Sequence, residues 1–351
     1  QLVAQKDRNK VTRQTQIIII GSLFVLLAIG VYAYIQSVPK AAKQPSQLPS
    51  LKQDVPPSAS SPKDLNNGPI IYAERITGTV SIWSLNPETK EKKKIFTDAD
   101  EELKIKSTGG LTEDGKWMLI SLGPQNEDVA TTHSLISTDG KAVRKETAKD
   151  VASTQPPQVS PDGQTFVWVG FSNVEADYGY TLTVQRFDGS NKRIALRSAT
   201  ELLFPTFSRD SGSIAVVQVL PEDLAEITLV RLEDFSKEVA LKTEKERIHG
   251  IGYLGENLIL STGPKDDAEI SKAELRLLDL KTKSTKQLSK NSQLETTPTG
   301  SPDKTSIAYI ARSIEEGRSV KDTVGEVKVF RLAGEESEAL SQGAFIVGWS
   351  T

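Results

Sequence analysis

Residues 159–169 read VSPDGQTFVWV, and this segment recurs along the chain in altered forms. Three further copies keep the central aspartate: LTEDGKWMLIS at 111–121, FSRDSGSIAVV at 207–217 and GSPDKTSIAYI at 300–310. In each copy a turn sequence built on aspartate precedes an apolar run with many β-branched and aromatic residues, which is typical of a β-strand. The chain is therefore built from an internal repeat, and the repeat determines its architecture.

The spacing of the repeated turn gives the period of the repeat. The aspartates are Asp114, Asp162, Asp210 and Asp303. Their separations are 48, 48 and 93 residues, and the last is almost two periods. The missing copy falls at YLGENLILS (253–261), where Glu256 replaces the aspartate. With a period of about 47, residues 68–351 hold close to six repeats.

Each repeat is predicted to contain, in order, strand A, the aspartate turn, strand B, a loop, strand C, a short turn and strand D. Four strands in a repeat of this length are typical of one blade of a β-propeller. The sequence thus predicts an all-β fold, a six-bladed β-propeller over residues 68–351. Asp and Gly suit tight turns through side-chain hydrogen bonds to the backbone and tolerance of positive φ, so we interpret the four aspartates as structural.

The two ends of this domain predict how the ring closes. The chain finishes on AFIVGWST (344–351), a lone strand A, and the domain begins on LNNGPIIYAE (65–74), which leads into a strand B. Joined, they make one composite blade, in which 344–350 supply the inner strand and 69–98 the other three. Such a closure leaves no unpaired seam between the first and last blades.

The N-terminal part of the chain has a different character. Residues 17–35 contain no charged side chain and are long enough to cross a bilayer as a helix. Residues 1–16 carry a net charge of +3, which predicts a cytoplasmic N-terminus and an extracytoplasmic propeller, periplasmic or at the cell surface. Residues 36–67 hold six of the 17 prolines and predict a disordered, Pro- and Ser-rich linker.

Two alternatives remain open for this region. The apolar run could belong to a cleaved signal peptide, although it is longer than the usual apolar core of such peptides. The linker could set the distance between bilayer and propeller, or it could be a spacer with no length requirement. The first interpretation makes the chain a single-pass membrane protein, anchored in the lipid bilayer through residues 17–35.

Composition excludes several classes of function. The chain has no Cys and two His, His133 and His249, which excludes thiolate metal sites, cysteine nucleophiles and His-rich metal clusters. The net charge of −3 argues against a nucleic-acid partner. No G-x-S-x-G nucleophile motif is present, and each histidine is interpreted as structural. We expect no enzymatic activity, no metal and no cofactor.

The segments SPDGQTFVWV (160–169) and SPDKTSIAYI (301–310) resemble the repeat of the TolB β-propeller family, whose hallmark is Ser-Pro-Asp-Gly followed by a strand. The resemblance covers the 284 residues of the propeller in register, and residues 160–163 keep all four hallmark letters. It implies a six-bladed propeller that serves as a protein-binding platform. TolB itself carries an extra N-terminal α/β domain, where this chain has an apolar segment and a linker.

Charge is distributed unevenly over the predicted propeller. The loops between strands B and C all emerge on one face, and together they carry about −10, against −8 for residues 68–351 as a whole. The acidic residues assigned to this face are Glu127, Asp128, Glu175, Asp177, Glu222, Asp223, Asp266 and Asp267. They predict a binding face for a basic protein partner, with the chain acting as a scaffold or recognition subunit of a cell-envelope complex.

Other interpretations of the same loops stay open. Segments 126–130 and 265–269 are rich in acidic residues but lack the ligand spacing of a calcium loop. A cell-surface propeller that binds or hydrolyses carbohydrate is the alternative function, since sugar sites use scattered aromatic and acidic residues. Tyr178 and Tyr180, predicted in a loop beside Asp177, are the candidate sugar contacts.

Overall fold

The computed structural model describes residues 67–350, apart from gaps at 77–78, 98–102, 125–131, 142, 150–152, 175–177, 245, 265–271 and 315–322. The described strands form six four-stranded antiparallel sheets. Because the six sheets follow the repeat, the prediction of an all-β six-bladed propeller is confirmed.

The strands are numbered in chain order. The first blade begins with β1 (Ile70–Ile76), β2 (Thr79–Leu85) and β3 (Lys92–Thr97). The second blade contains β4 (Leu103–Leu111), β5 (Trp117–Pro124), β6 (Thr132–Ser137) and β7 (Val143–Lys149). The third contains β8 (Gln158–Val159), β9 (Thr165–Ser172), β10 (Gly179–Arg186) and β11 (Arg193–Ser198).

The remaining blades follow the same plan. The fourth contains β12 (Leu202–Phe207), β13 (Ser213–Val219), β14 (Ala225–Arg231) and β15 (Lys237–Thr243). The fifth contains β16 (Glu246–Leu254), β17 (Asn257–Pro264), β18 (Glu274–Leu278) and β19 (Thr285–Gln287). The sixth contains β20 (Leu294–Gly300), β21 (Ser306–Arg312), β22 (Gly325–Arg331) and β23 (Glu336–Gly343), and the last strand is β24 (Phe345–Trp349). A short 3₁₀ turn, Pro221–Asp223, joins β13 to β14.

The core of the propeller lies between the blades. Six clusters of buried apolar side chains are present, and each joins one pair of neighbouring blades. Between the sixth and first blades, for example, Tyr72 and Trp349 pack with Ala308, Ile310 and Val327. Alternation along a strand sends successive side chains to opposite faces of the sheet, so each blade contributes to two clusters.

The repeated aspartate closes the turn between strands A and B. In the third blade the Ser160 hydroxyl donates to Asp162 Oδ1 at 2.5 Å, and the Gln164 amide donates to the same oxygen at 3.0 Å. The Ser160 hydroxyl in turn accepts from the Thr165 amide at 3.0 Å. The same three contacts recur around Asp114, Asp210 and Asp303.

The residue after each aspartate adopts a positive φ. Glycine supplies it at Gly115 and Gly163, while Ser211 and Lys304 adopt it in the other two copies. The fifth blade departs from the plan, because Leu254 pairs directly with Asn257 and leaves only Gly255 and Glu256 in the turn. Glu256 therefore occupies a shorter hairpin than its aspartate counterparts.

The inner strands approach one another closely at the centre of the ring. A Cβ atom on Gly109 would lie 1.4 Å from the carbonyl oxygen of Pro157, and one on Gly252 would lie 2.1 Å from that of Pro298. Only glycine allows these backbones to meet at that distance. Glycine is confined to these close approaches, since inner strands β12 and β24 also carry large side chains such as Phe207 and Trp349.

Both ends of the described chain meet in the first blade. Strand β24 pairs antiparallel with β1, and the Ser350 amide and hydroxyl both donate to the Pro69 carbonyl, at 2.9 and 3.0 Å. The Trp349 indole N–H donates to the Thr299 carbonyl of the sixth blade at 3.3 Å. The strand supplied by the C-terminus thus joins the first blade to the sixth.

The predicted cytoplasmic tail (1–16), the transmembrane helix (17–35) and the linker (36–67) except Asn67 lie outside the described residues. Among the residues that the structure does describe, there is no helix with the length and hydropathy needed to cross a membrane.

Deleting residues 344–351 should abolish cooperative unfolding of the propeller and cause aggregation. The deletion removes the inner strand of the first blade and exposes the unpaired edge of β1. Circular dichroism during thermal unfolding and light scattering measure the outcome, and a chain that lacks Thr351 alone is the control. A deleted chain that melts at the temperature of the wild type would contradict the six-bladed closure.

The aspartate turns should make stability depend on acid pH. The Ser208 hydroxyl and the Gly212 amide lower the pKa of Asp210, so its contribution is present above the pKa of the unfolded chain and is lost as the pH falls through the lower folded value. Asp210→Ala should cost about 1 kcal/mol at pH 7, and less near pH 3, in urea unfolding. Glu233→Ala, at an exposed position in the turn between β14 and β15, is the control. An equal loss at both pH values would exclude this electrostatic contribution.

Candidate functional site

The turns between strands A and B lie together on one face of the ring, here called the turn face. Arg209 of the fourth blade contacts turn residues of two other blades, Glu113 and Pro302. Asn67, the first described residue, donates its side-chain amide to Asp303 Oδ2 at 2.7 Å. The hairpins between strands B and C lie at the other ends of the same strands and form the opposite face, here called the hairpin face.

Most of the acidic residues predicted on the hairpin face fall in the gaps. Glu127, Asp128, Glu175, Asp177, Asp266 and Asp267 lie outside the described residues, as does the side chain of Asp223. Glu222 is described: it is exposed and adopts φ +66° in the turn between β13 and β14. The acidic binding face therefore stays a prediction.

Three aromatic rings are in contact at the hairpin of the third blade. The ring centroids of Phe171 and Tyr178 lie 5.7 Å apart in an edge-to-face arrangement, and those of Phe171 and Tyr180 lie 4.8 Å apart. Phe171 is 45% exposed and Tyr178 is 66% exposed. We call Phe171, Tyr178 and Tyr180 the aromatic ridge.

The ridge differs from its sequence-based description in two respects. Tyr180 lies in strand β10 and not in a loop, so its backbone is fixed by pairing with Phe171 and Ser198 on either side. Phe171 was not among the predicted contacts, because it ends the apolar run of β9 and looks like a core residue in the sequence. Exposed Val174 follows in the same hairpin, so large apolar side chains are concentrated there.

The two histidines lie in strands of different blades. His133 in β6 is buried, and its Nδ1 is 2.9 Å from the Ser121 hydroxyl. His249 in β16 is partly buried, and both its loss of solvent and the nearby Arg247 lower its pKa, which favours the neutral ring. The Ser121–His133 pair is closed to a substrate, because both residues are fully buried. The buried Nε2 of His249 has no hydrogen-bond partner among the described residues.

A cavity of about 500 Å³ runs along the axis of the ring. All six inner strands line it, and its walls include Leu111, Phe207, Tyr253 and Trp349. Burial raises the pKa of Tyr253 to about 12, so its hydroxyl stays protonated. The charged side chains on the lining are Arg75, Lys106, Glu113 and Arg209.

Arg209 spans the cavity at the turn face. Its Nη1 donates to the Pro302 carbonyl of the sixth blade at 2.6 Å, and its Nε donates to Glu113 Oε1 of the second blade at 3.4 Å. The Arg209 side chain is 28% exposed and that of Glu113 is 52% exposed, so water screens this ion pair. The contact joins residues 96 positions apart, and the repeat pattern gave no indication of it.

One carboxylate outside the cavity is buried, and it has a structural role. Glu295 in β20 accepts from the Leu275 amide at 3.0 Å, from the Asn291 side chain at 2.8 Å and from the Ser289 hydroxyl. Burial raises its pKa above the usual value for glutamate. Because these donors come from the fifth blade and the segment that follows it, Glu295 links the fifth blade to the sixth. No group of three metal-ligating side chains occurs among the residues described.

The fold is that of the TolB propellers. A putative TolB from Agrobacterium tumefaciens superposes with a TM-score of 0.59 at 13% identity, over 79% of this chain and 90% of that one. TolB from Acinetobacter baumannii gives 0.61 at 13% identity, over 81% of this chain and 66% of that one, just under two thirds of its length.

The same fold also occurs outside that family. A chain of a nidogen/laminin complex superposes with a TM-score of 0.55 at 13% identity, over 80% of this chain and 97% of that one. No protein-family model matches the sequence, and no curated protein matches it either. The likeness therefore establishes a six-bladed TolB-like propeller, and function has to be argued from the site.

Proposed function

We propose that the chain is a membrane-anchored, extracytoplasmic β-propeller that binds a protein partner on its hairpin face. In this proposal it acts as a scaffold or recognition subunit of a cell-envelope complex. The observation that carries the proposal is the aromatic ridge, because large exposed aromatic side chains are frequent anchors of protein interfaces.

The contacts within the ridge support a binding role. The Phe171 ring contacts both tyrosine rings. The exposed surface is therefore already ordered and loses little conformational entropy when a partner covers it. Burying Phe171 and Tyr178 in a partner would also remove apolar surface from water. Tyr180 packs against the cluster between the third and fourth blades, whereas Phe171 and Tyr178 belong to none of the six clusters between blades.

The attachment point of the linker favours the same face. Asn67, the last residue of the predicted linker, lies on the turn face through its contact with Asp303. The hairpin face is the face opposite this attachment point. If the linker continues to a membrane anchor, the hairpin face is therefore the one that the linker leaves free. The acidic loops expected on the hairpin face would steer a basic partner toward the ridge.

A photo-crosslinking residue at position 178 tests the proposal in native membranes. We expect one protein adduct from Tyr178 and none from the same residue at Ile194, which is 45% exposed on the outer strand β11 of the same blade. Once the partner is identified, Phe171→Ser with Tyr178→Ser should weaken binding by tenfold or more, while Ile194→Ser should leave it unchanged. Raising the salt concentration should slow association if the partner is basic.

The opposite pattern of results would overturn the proposal. Identical adducts from positions 178 and 194, or full affinity in the double variant, would exclude the ridge as the interface. The alternative is a carbohydrate-binding propeller, which the exposed tyrosine rings also favour. In that case isolated cell-wall glycan would retain the wild-type chain and the Ile194→Ser variant but not the double variant, with no protein adduct at position 178.

A further inference from the structure

We propose that the axial cavity binds a ligand that carries one carboxylate group on an apolar body. The proposal concerns the interior of the ring and does not depend on the partner that the hairpin face binds. It follows from the volume of the cavity, the charge of its lining and the unused donors of Arg209.

The cavity has the size of a small-molecule site. Its volume of about 500 Å³ lies within the range of roughly 300–1,000 Å³ that is usual for ligand pockets. Its walls combine aliphatic and aromatic side chains with a few polar groups, of which Thr206 and Thr299 are examples. Such a lining suits an apolar body that is oriented by a single polar group.

The charges on the lining favour an anion. Over the whole cavity the lining has three cations and one acid, although residues 68–351 carry a net negative charge. Arg75 and Lys106 lie toward the hairpin face, and Arg209 and Glu113 lie at the turn face. Neither Arg75 nor Lys106 forms an ion pair with another described residue. Because the propeller is acidic overall, a net positive lining is not explained by its average composition.

Arg209 supplies the specific contact. Its guanidinium has five N–H groups, and the contacts with Glu113 and Pro302 use one N–H on Nε and one on Nη1. The other three, one on Nη1 and two on Nη2, have no acceptor among the described residues. A carboxylate can accept two of them in a bidentate pair.

The existing contacts of Arg209 also select the charge of the ligand. The Pro302 carbonyl and the Glu113 carboxylate hold the guanidinium in place, which lowers the entropic cost of binding. Glu113 offsets part of its charge, so a singly charged carboxylate suits the site better than a doubly charged phosphate. The carboxylate could belong to a free small molecule or to the C-terminus of a peptide.

Isothermal titration calorimetry with the full chain in detergent micelles tests the site. N-acetylphenylalanine and its amide form one matched pair of probes, and an acetylated hexapeptide ending in phenylalanine, with a free or an amidated C-terminus, forms the other. We expect the acid to bind at least tenfold more tightly than the amide. The pair that shows the difference identifies the source of the carboxylate. A change in tryptophan fluorescence that is lost in Trp349→Phe gives a second readout, since Trp349 lines the cavity.

Variants assign the binding to Arg209. Arg209→Gln should remove the preference for the acid, and Arg209→Lys should retain part of it, since lysine keeps the charge but not the paired donors. Arg186→Gln, at an exposed position in β10, should change nothing. If Arg209→Gln does not fold, Glu113→Gln leaves Arg209 in place, removes the carboxylate that offsets its charge and should strengthen binding of the acid threefold or more.

Two results would overturn the proposal. Equal affinity for acid and amide would show that the cavity binds only the apolar body, and failure of all four probes to bind at millimolar concentration would show that it binds no such ligand. Loss of acid binding in Arg186→Gln to the same extent as in Arg209→Gln would place the interaction outside the cavity. None of these results bears on the crosslinking test of the hairpin face.

Discussion

The structure depends on the pairing of β24 with β1. A blade of this propeller is a four-stranded sheet with two apolar faces, and each face is buried only against a neighbouring blade. If six such blades form a closed ring, no apolar face is exposed. If the ring is open, the first and the last blade each expose one apolar face. Because the last strand pairs with the first blade, the junction between the two ends of the domain is an ordinary hydrogen-bonded ladder. In a chain without cysteine, this ladder takes the place of a covalent closure.

Closure of the ring also determines what can lie on its axis. Six inner strands converge there, and positions such as Gly109 and Gly252 have no room for a side chain. In inner strands β12 and β20, Phe204 and Thr297 adopt φ of +52° and +50°, each directly before a proline. The pairing register with the next strand shifts at both positions. These bulges bend the inner strands, and small residues then leave an axial cavity where a packed core would otherwise lie. The cavity is thus a consequence of the closure.

The sequence predicted the parts of the structure that depend on local repetition. The period of 47 residues, the Ser-Asp turn and the two incomplete ends were enough to predict six blades and their composite member. It did not predict contacts between repeats, because these depend on which blades face one another across the ring. Arg209 occupies the variable position of its turn, and its contact with Glu113 becomes visible only when the second and fourth blades are placed around the axis. Phe171 was missed for a different reason. An aromatic residue at the end of an apolar strand has the same sequence pattern whether its side chain is buried or exposed.

The two faces of the ring differ because the repeat constrains only one of them. On the turn face the serine and aspartate side chains are used in closing turns, and the neighbouring turns are linked through contacts such as that of the Asp162 amide with the Ser211 hydroxyl. Substitution there affects several hydrogen bonds at once. The hairpins between strands B and C carry no repeated residues, so they can vary in length, charge and apolar character without affecting the ladder. A face with that freedom is where a propeller can acquire a specific surface, and the aromatic ridge of the third blade lies there.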